Sequence, residues 1–335
     1  MSPTSPRITV VIPTFNRARF LPGAIESVLA QTYGDFRLLV ADNASADETP
    51  AIVAGYDDRR IDYVRRPENL GIIANHNLAL RDVASEYCLI VPDDDVLFPQ
   101  ILERTIAVLD ANPGAGMVHA RFGVLGEDGT VLKEVDDWTY GLDRDTVEPG
   151  GTFVRESMLW SCRVCASTAL MRMAALPEPP FDPDDFPAID FGMWLRMALD
   201  WEMAFLAEPL AGYRIHGDSH SAAFGPPQGA GYTMGTEIVT RLHEVKLRFV
   251  ERFQHRLDDI ADLRDRAARC QRRELIWMAR NETLPERGFR RTVRALAAGL
   301  RVDPRLAVEP SAWSLLMGSV LGPRGVHLLR PRRTA

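Results

Sequence analysis

Cys88-Leu89-Ile90-Val91-Pro92-Asp93-Asp94-Asp95 sets an apolar, strand-like run directly against three consecutive carboxylates. The end of such a strand is where an α/β enzyme keeps a divalent cation. Three adjacent aspartates repel one another, so a cation or a set of hydrogen-bond donors is expected to offset the cost. An exposed acidic turn capping the next helix is the competing reading.

Outward from this run, the first hundred residues alternate strand-like and helix-like segments at short intervals, the pattern of a mostly parallel sheet flanked by helices. Ile8 to Pro13, Phe36 to Ala41, Ile61 to Val64 and Tyr87 to Val91 read as strands. Phe20 to Ala30, a segment after Ser45, Gly71 to Arg81 and Ile101 to Leu109 read as helices, the last opened by Pro99, whose missing N–H costs nothing there. Gly114 to Val131 reads as strand and turn, Pro177 to Pro187 as a loop, Ile189 to Leu199 as a helix, and Met203 to Ala207 and Leu210 to Ile215 as two further strands. The stretch from Gly217 to Gly235, rich in glycine and serine, reads as a mobile connection or lid. From about Glu237 the pattern turns helical, with Leu242, Val245, Phe249 and Phe253 on one face that packs on the main body or pairs with a second copy. The expected division is a catalytic domain over 1–225, with halves near 7–98 and 115–221, and a helical C-terminal region over 226–335.

A chain of 335 residues with 46% apolar residues can bury a substantial core. Its formal charge of −7 argues against nucleic acid as a partner, because tracking a phosphate backbone takes a basic excess. The start lacks the apolar run of a signal peptide, and no stretch is long and apolar enough to span a bilayer. A cytoplasmic location is therefore expected. From Glu286 to Ala335 ten arginines stand against three acidic residues, a net +7, and such a tail can rest on the anionic inner face of a membrane or form the solvated side of a helical cap. Cys88, Cys162, Cys165 and Cys270 are too few and too unevenly spaced for a disulfide framework, and Cys162 and Cys165 form a CxxC without a second ligand pair.

Three segments besides the aspartate run carry chemistry. Pro13, Thr14, Phe15 and Arg17 lead from a buried strand into a polar loop that offers backbone groups and a guanidinium to a nucleoside diphosphate. Neither the GxGxxG of a dinucleotide site nor the GxxxxGK[ST] of a P-loop is present there. Asp42 ends the second strand and can accept a hydrogen bond from a base imide, while Asn43 or Ser45 can cap a helix. Asn69, Gly71 and Asn75 open the third helix, where amides reach base or ribose and Gly71 permits close backbone approach. His76 stands apart from any metal-ligand spacing.

With these segments in order, the sequence resembles the inverting glycosyltransferases of family 2, which have the GT-A fold, a Rossmann-like mixed sheet flanked by helices. The resemblance rests on Val11-Ile12-Pro13-Thr14-Phe15-Asn16-Arg17, Asp42 to Asp47, Asn69-Leu70-Gly71, Pro92 to Pro99, and Asp190 to Arg196 followed by Pro209 to His216. It implies that Asp42 recognises the donor's base, usually uracil, and that Asp93, Asp94 and Asp95 form the DxD-type element. Within that element Asp95 is the expected ligand of Mg²⁺ or Mn²⁺, with Asp93 toward ribose and Asp94 toward donor sugar or metal water. Asp190 stands at the family's catalytic-base position, and His216 where some relatives supply a further metal or diphosphate contact.

Two departures from the family pattern stand out: His76 replaces a frequent arginine, and Ile189 replaces the acidic neighbour of the base, which favours a raised pKa for Asp190. The implied activity is metal-assisted single displacement from a nucleoside diphosphate sugar, UDP first and dTDP next, to a hydroxyl of a glycan, glycolipid or natural product. Trp160, Arg163, Trp194 and Arg196 are the candidate acceptor contacts, with Ser167 beside them, and core packing is the alternative for each. A nucleotidyltransferase, a nucleotide-sugar hydrolase and a degenerate binding domain are the competing functions.

Overall fold

The computed structural model describes residues 6–135, 142–160, 162–219, 227–228, 231–232, 236–283, 296–297, 299–300 and 304–313. In chain order the elements are β1 (Ile8–Thr14), α1 (Leu21–Leu29), β2 (Phe36–Asp42), α2 (Thr49–Ala54), β3 (Ile61–Arg65), α3 (Ile72–Arg81), β4 (Tyr87–Ile90), β5 (Val96–Leu97), α4 (Ile101–Ala111) and β6 (Ala115–Leu125). They continue with β7 (Val131–Lys133), β8 (Thr146–Glu148), α5 (Gly150–Leu159), β9 (Leu170–Arg172), α6 (Ile189–Met197), β10 (Glu202–Arg214), then, beyond a short separate hairpin, α7 (Thr236–Arg252) and α8 (Ile260–Thr283).

The main sheet runs β3-β2-β1-β4-β9-β6-β10-β5, with β7 on β6 and β8 on β10. Every residue of β1 is buried, and side-chain alternation divides the sheet between two cores. Ile8, Val10 and Ile12 face α1 and α4 with Leu38, Val40, Tyr87 and Leu89. Val11, Leu39, Ala41, Cys88 and Ile90 face the other way, into a core shared with Phe153, Phe191, Trp194 and Leu195.

Strand direction explains where the site lies. β1 is parallel to β2 and β4, so Thr14, Asp42 and the aspartate run emerge on one edge. β9 is antiparallel to β4 and to β6, and β6 is parallel to β10, so the carboxyl end of β10 returns to that same edge. Arg214 and His216 thereby meet the aspartates from the far half of the sheet.

The first four strands and the α1, α3 and α4 helices fall where periodicity places them. Others do not: α5, β5, β8 and β9 arise where no helix or strand is expected, and β10 is one strand rather than two. Its register against β6 shifts around Pro209, the bulge that a proline lacking an N–H requires. Leu242, Val245 and Phe249 are buried in the same core as Phe191 and Trp194, so the face available to a second copy on sequence grounds is covered by the chain itself. Most of the 217–235 lid and the basic tail beyond 313 lie outside the described residues. Among those described, no helix is long and apolar enough to cross a membrane.

Candidate active site

Asp42 closes β2 fully buried, and both carboxylate oxygens are engaged. Oδ1 accepts from the Ser45 N–H at 2.8 Å, and Oδ2 accepts from the Tyr63 hydroxyl at 2.5 Å with Arg65 Nε at 3.5 Å. The loop after β1 is stitched to the loop after β2. Asn16, at φ 53°, donates its N–H to Ser45 Oγ and accepts from the Ala46 N–H, while the Ala18 N–H donates to Asp47 Oδ2. Burial alone would raise the Asp47 pKa, but the Ala18 N–H and the hydroxyl and N–H of Thr49 together outweigh it and hold the carboxyl below its ordinary value. Phe15 is 39% exposed, and Arg17 donates to the Asp218 carbonyl, which joins the first loop to the chain beyond β10.

Asn69 and Gly71 shape the third loop. Asn69 Oδ1 accepts from Asn43 Nδ2 at 2.8 Å and from the Gly71 N–H at 2.9 Å, and Gly71 takes φ 81°, a conformation that suits glycine. Asn75 is spent on the fold: Nδ2 donates to the Ala41 carbonyl at 2.9 Å and Oδ1 accepts from Arg66 at 3.3 Å. His76 packs its ring edge against Phe181.

The three aspartates part company at the turn after β4. Asp93 is buried near Thr14 and Arg17, and dehydration, then the charge of Asp94, pushes its pKa up to about 7. Asp95 is 1% exposed and turned inward, accepting from Ser167 Oγ and from the Arg214 N–H at 2.9 Å. Burial and the neighbouring Asp94 raise its pKa well above the ordinary value. Asp94 instead stands 2.9 Å from His216 Nε2 through Oδ2, and the Arg214 guanidinium holds the Asp94 carbonyl at 2.8 Å.

In this placement the Asp95 oxygens, expected on the cation, accept from Ser167 and the β10 backbone. Asp94 and His216 fit a cation better. Two ligands of one cation stand roughly 3 Å apart when each bond is about 2.1 Å, which is the spacing these two donors already show, and His216 Nδ1 is buried with no hydrogen-bond partner among the described residues. Phe20 fixes the imidazole from one side at 4.3 Å between ring centroids. Among the described residues no group of three or more such ligands is assembled.

Asp190 opens α6 in its first turn. Its carboxyl accepts from the Phe191 N–H at 2.7 Å, and burial pushes its pKa up to about 6, the direction its apolar neighbour Ile189 implies. The Cys162 thiol, raised first by burial, is raised further by the Asp190 charge. Of the candidate acceptor contacts, Trp160 is partly exposed with Arg273 stacked 4.2 Å over its ring. Arg163 is buried and paired with Glu148 at 2.7 Å, Trp194 is 1% exposed in the core, and Arg196 donates to the Pro179 and Pro180 carbonyls. These three belong to the scaffold, and only Trp160 offers a surface.

The model of the family described as Glycosyl transferase family 2 matches residues 9–163. Over that stretch, a little under half of its length, the chain matches the family 2 glycosyltransferases. The uncharacterized glycosyltransferase MJ1057 of Methanocaldococcus jannaschii is 26% identical over 215 residues, which cover 63% of this chain and 71% of that protein. The uncharacterized glycosyltransferase RT0329 of Rickettsia typhi is 31% identical over 214 residues, 63% of this chain and 65% of that one. For RC0461 of Rickettsia conorii the match spans only 34% of the relative's length. The fold is that of S. aureus TarS 1-349 in complex with UDP-GlcNAc, with TM-score 0.61, 16% identity, and 93% and 84% of the two chains covered. It is also that of the mannosyltransferase PcManGT from Pyrobaculum calidifontis in complex with GDP-Man and Mn²⁺, with TM-score 0.55, 18% identity, and 98% and 88% covered. Both are GT-A glycosyltransferases, and the chain is a transferase of that fold.

The matched stretch contains Asp42 and the three aspartates, whereas Asp190 and His216 lie beyond it. Tyr63, Arg65 and Arg214 also shape the site without having stood out in the sequence, and Ser167 proves to be a brace for Asp95 rather than an acceptor contact. Tyr63 and Arg65 carried one usable signal: they are two residues apart on β3, hence on one face, and Arg65 is in register with Asp42.

Proposed function

We propose that this transferase moves a sugar from a nucleoside diphosphate sugar to an acceptor hydroxyl with inversion at the anomeric carbon. The observation that carries the reading is the meeting of Asp42, Asp93 and the Asp94 and His216 pair on one sheet edge, with a separately dehydrated carboxylate, Asp190, at the start of α6. Asp42 accepts hydrogen bonds, which suits a base that presents a ring N–H and disfavours cytosine. UDP is the first expectation and dTDP the second, with guanine compatible. TarS is held with UDP-GlcNAc and PcManGT with GDP-Man, in keeping with that range.

Asp190 accepts the proton of the attacking hydroxyl, a task for which a pKa near 6 leaves it ionised at neutral pH while still basic. Arg17 and the loop carrying Thr14 and Phe15 hold the diphosphate, and Asp93 orients ribose. Asp94 and His216 would hold a divalent cation, with Mn²⁺ favoured over Mg²⁺ because an imidazole joins the carboxylate. When bound, that ion offsets the charge that develops on the leaving diphosphate. A single displacement needs no covalent protein nucleophile. The acceptor hydroxyl belongs to a glycan, glycolipid or natural product that passes over Trp160.

Calorimetry with UDP, dTDP, GDP and CDP sugars, in Mn²⁺, Mg²⁺ or chelator, tests the donor half. Binding of one donor that is lost with chelator supports the assignment. Binding of all four alike, or equal binding with chelator, overturns the roles of Asp42 or of Asp94 and His216.

A further inference from the structure

Helix α7 lies beyond the family-matched stretch, yet its side chains hold both chain segments that flank Asp190. Lys246 is 2% exposed, and no carboxylate among the described residues pairs with it. Its ammonium donates to the carbonyls of Met158 at 3.2 Å and Trp160 at 2.8 Å and stands 3.1 Å from Cys270 Sγ. Those carbonyls close the last turn of α5, where unsatisfied C=O groups and the negative end of the helix dipole favour a cation. Trp160 is two residues before Cys162, whose thiol pKa the Asp190 charge raises further. The same ammonium is 5.8 Å from the ring of Phe191, the residue after Asp190.

The other flank is fixed from farther along the same helix. Arg252 Nη1 meets Asp182 Oδ2 at 2.9 Å, and Arg248 donates to the Asp184 carbonyl and lies 3.6 Å from Asp185. Asp182 caps the short turn over Pro183–Asp185 by accepting from the Asp184 N–H, and the Asp185 carbonyl accepts from the Ala188 N–H at the mouth of α6. Asp185 is seated so tightly on α6 that a Cβ on Gly192 would fall 2.0 Å from its Oδ2. An ammonium buried without a carboxylate partner is costly, and the two carbonyls that it caps offset that cost.

We propose that α7 is a working part of the active site, with Lys246 and Arg252 as positioning residues that fix the two segments on either side of Asp190. This rests on Asp190 being the base. Neither residue touches donor or acceptor; each acts by setting where the carboxylate and the Cys162 segment stand.

The test uses the full chain and the variants Lys246→Met, Arg252→Ala, Arg252→Lys and Asp190→Asn. Turnover is read as release of UDP from UDP-GlcNAc with water as the acceptor, hydrogen exchange is followed over 158–163 and 182–192, and UDP binding is measured with Mn²⁺. Lys246→Met and Arg252→Ala are expected to lower kcat by about 100-fold, the scale of a misplacement near 1 Å, to speed exchange in both segments, and to leave UDP binding unchanged. The acid limb of the kcat profile should move to lower pH as water reaches Asp190, and Arg252→Lys should restore most of the rate. Wild-type kcat and an unmoved acid limb in both variants, with Asp190→Asn inactive, would overturn the proposal and leave the base assignment standing. An active Asp190→Asn overturns both. If Lys246→Met does not fold, Arg252→Ala carries the test, since that side chain is half exposed.

Discussion

The charge state of Asp190 near neutral pH is decided by its environment. Burial favours the protonated carboxyl and raises its pKa to about 6. A base must be deprotonated to accept a proton, so kcat is expected to fall as pH drops through 6 and to level off above it. A pH profile of kcat that stays flat down to pH 5 would remove Asp190 from that role. Asp190→Asn should cost between about 100-fold and 10,000-fold in kcat while donor affinity holds.

The neighbouring aspartates separate by a different measurement. Asp94→Ala or His216→Ala should weaken Mn²⁺-supported donor binding, and Asp94→Ala, at the less buried of the two side chains, should barely change melting. Asp95→Ala should instead destabilise the fold by about 1–3 kcal/mol, because Ser167 and the Arg214 N–H lose their buried acceptor. Calorimetry and thermal melting on the three variants check the split. Three identical residues in a row announce a site in the sequence, but which one turns outward is set by the backbone after β4, and no side-chain chemistry distinguishes them.

At the level of elements, legibility followed the strength of the local pattern. β1, β2 and β4 are continuous apolar runs that end in polar loops, so their positions and the edge that carries the site could be read directly. α5 opens on Gly150 and Gly151, poor helix formers, and is held by tertiary packing of Phe153, Val154 and Met158. β9 is three residues long, too short for any periodicity to show. Pro209 looked like a break between strands, whereas β6 absorbs it as a bulge in one strand. The loop after β2 carries a cost that the sequence does not display: Ala44 takes φ 66°, a region unfavourable for any residue with a Cβ. Ala44→Gly should relieve it and stabilise the protein by about 0.5–1 kcal/mol, after the entropy that glycine adds to the unfolded chain is counted. Urea denaturation checks it, and a lowered midpoint would mean that the Ala44 methyl makes a contact worth more than the strain.

Across the whole molecule, the helical region does not behave as an appendage. The change in composition near residue 235 suggested a boundary, yet Leu242, Val245, Phe249 and Val250 of α7 and Leu263 and Ala267 of α8 enter the same core as Phe191, Trp194 and the second face of the sheet. A composition shift reports what a segment is made of, and only packing reports whether its apolar face is shared. A chain cut after residue 235 would therefore expose the α5 and α6 faces that these side chains cover, and strand the Met158 and Trp160 carbonyls that Lys246 caps. Exposed contiguous apolar surface of this kind leads to association or to loss of fixed packing. The cut chain is expected to bind a hydrophobic dye, to lose its near-ultraviolet dichroism while keeping much of its far-ultraviolet signal, and to show no donor turnover. A cooperative melt near that of the full chain would instead mean that the sheet and α1 to α6 fold as a unit of their own, with α7 and α8 added onto a finished core.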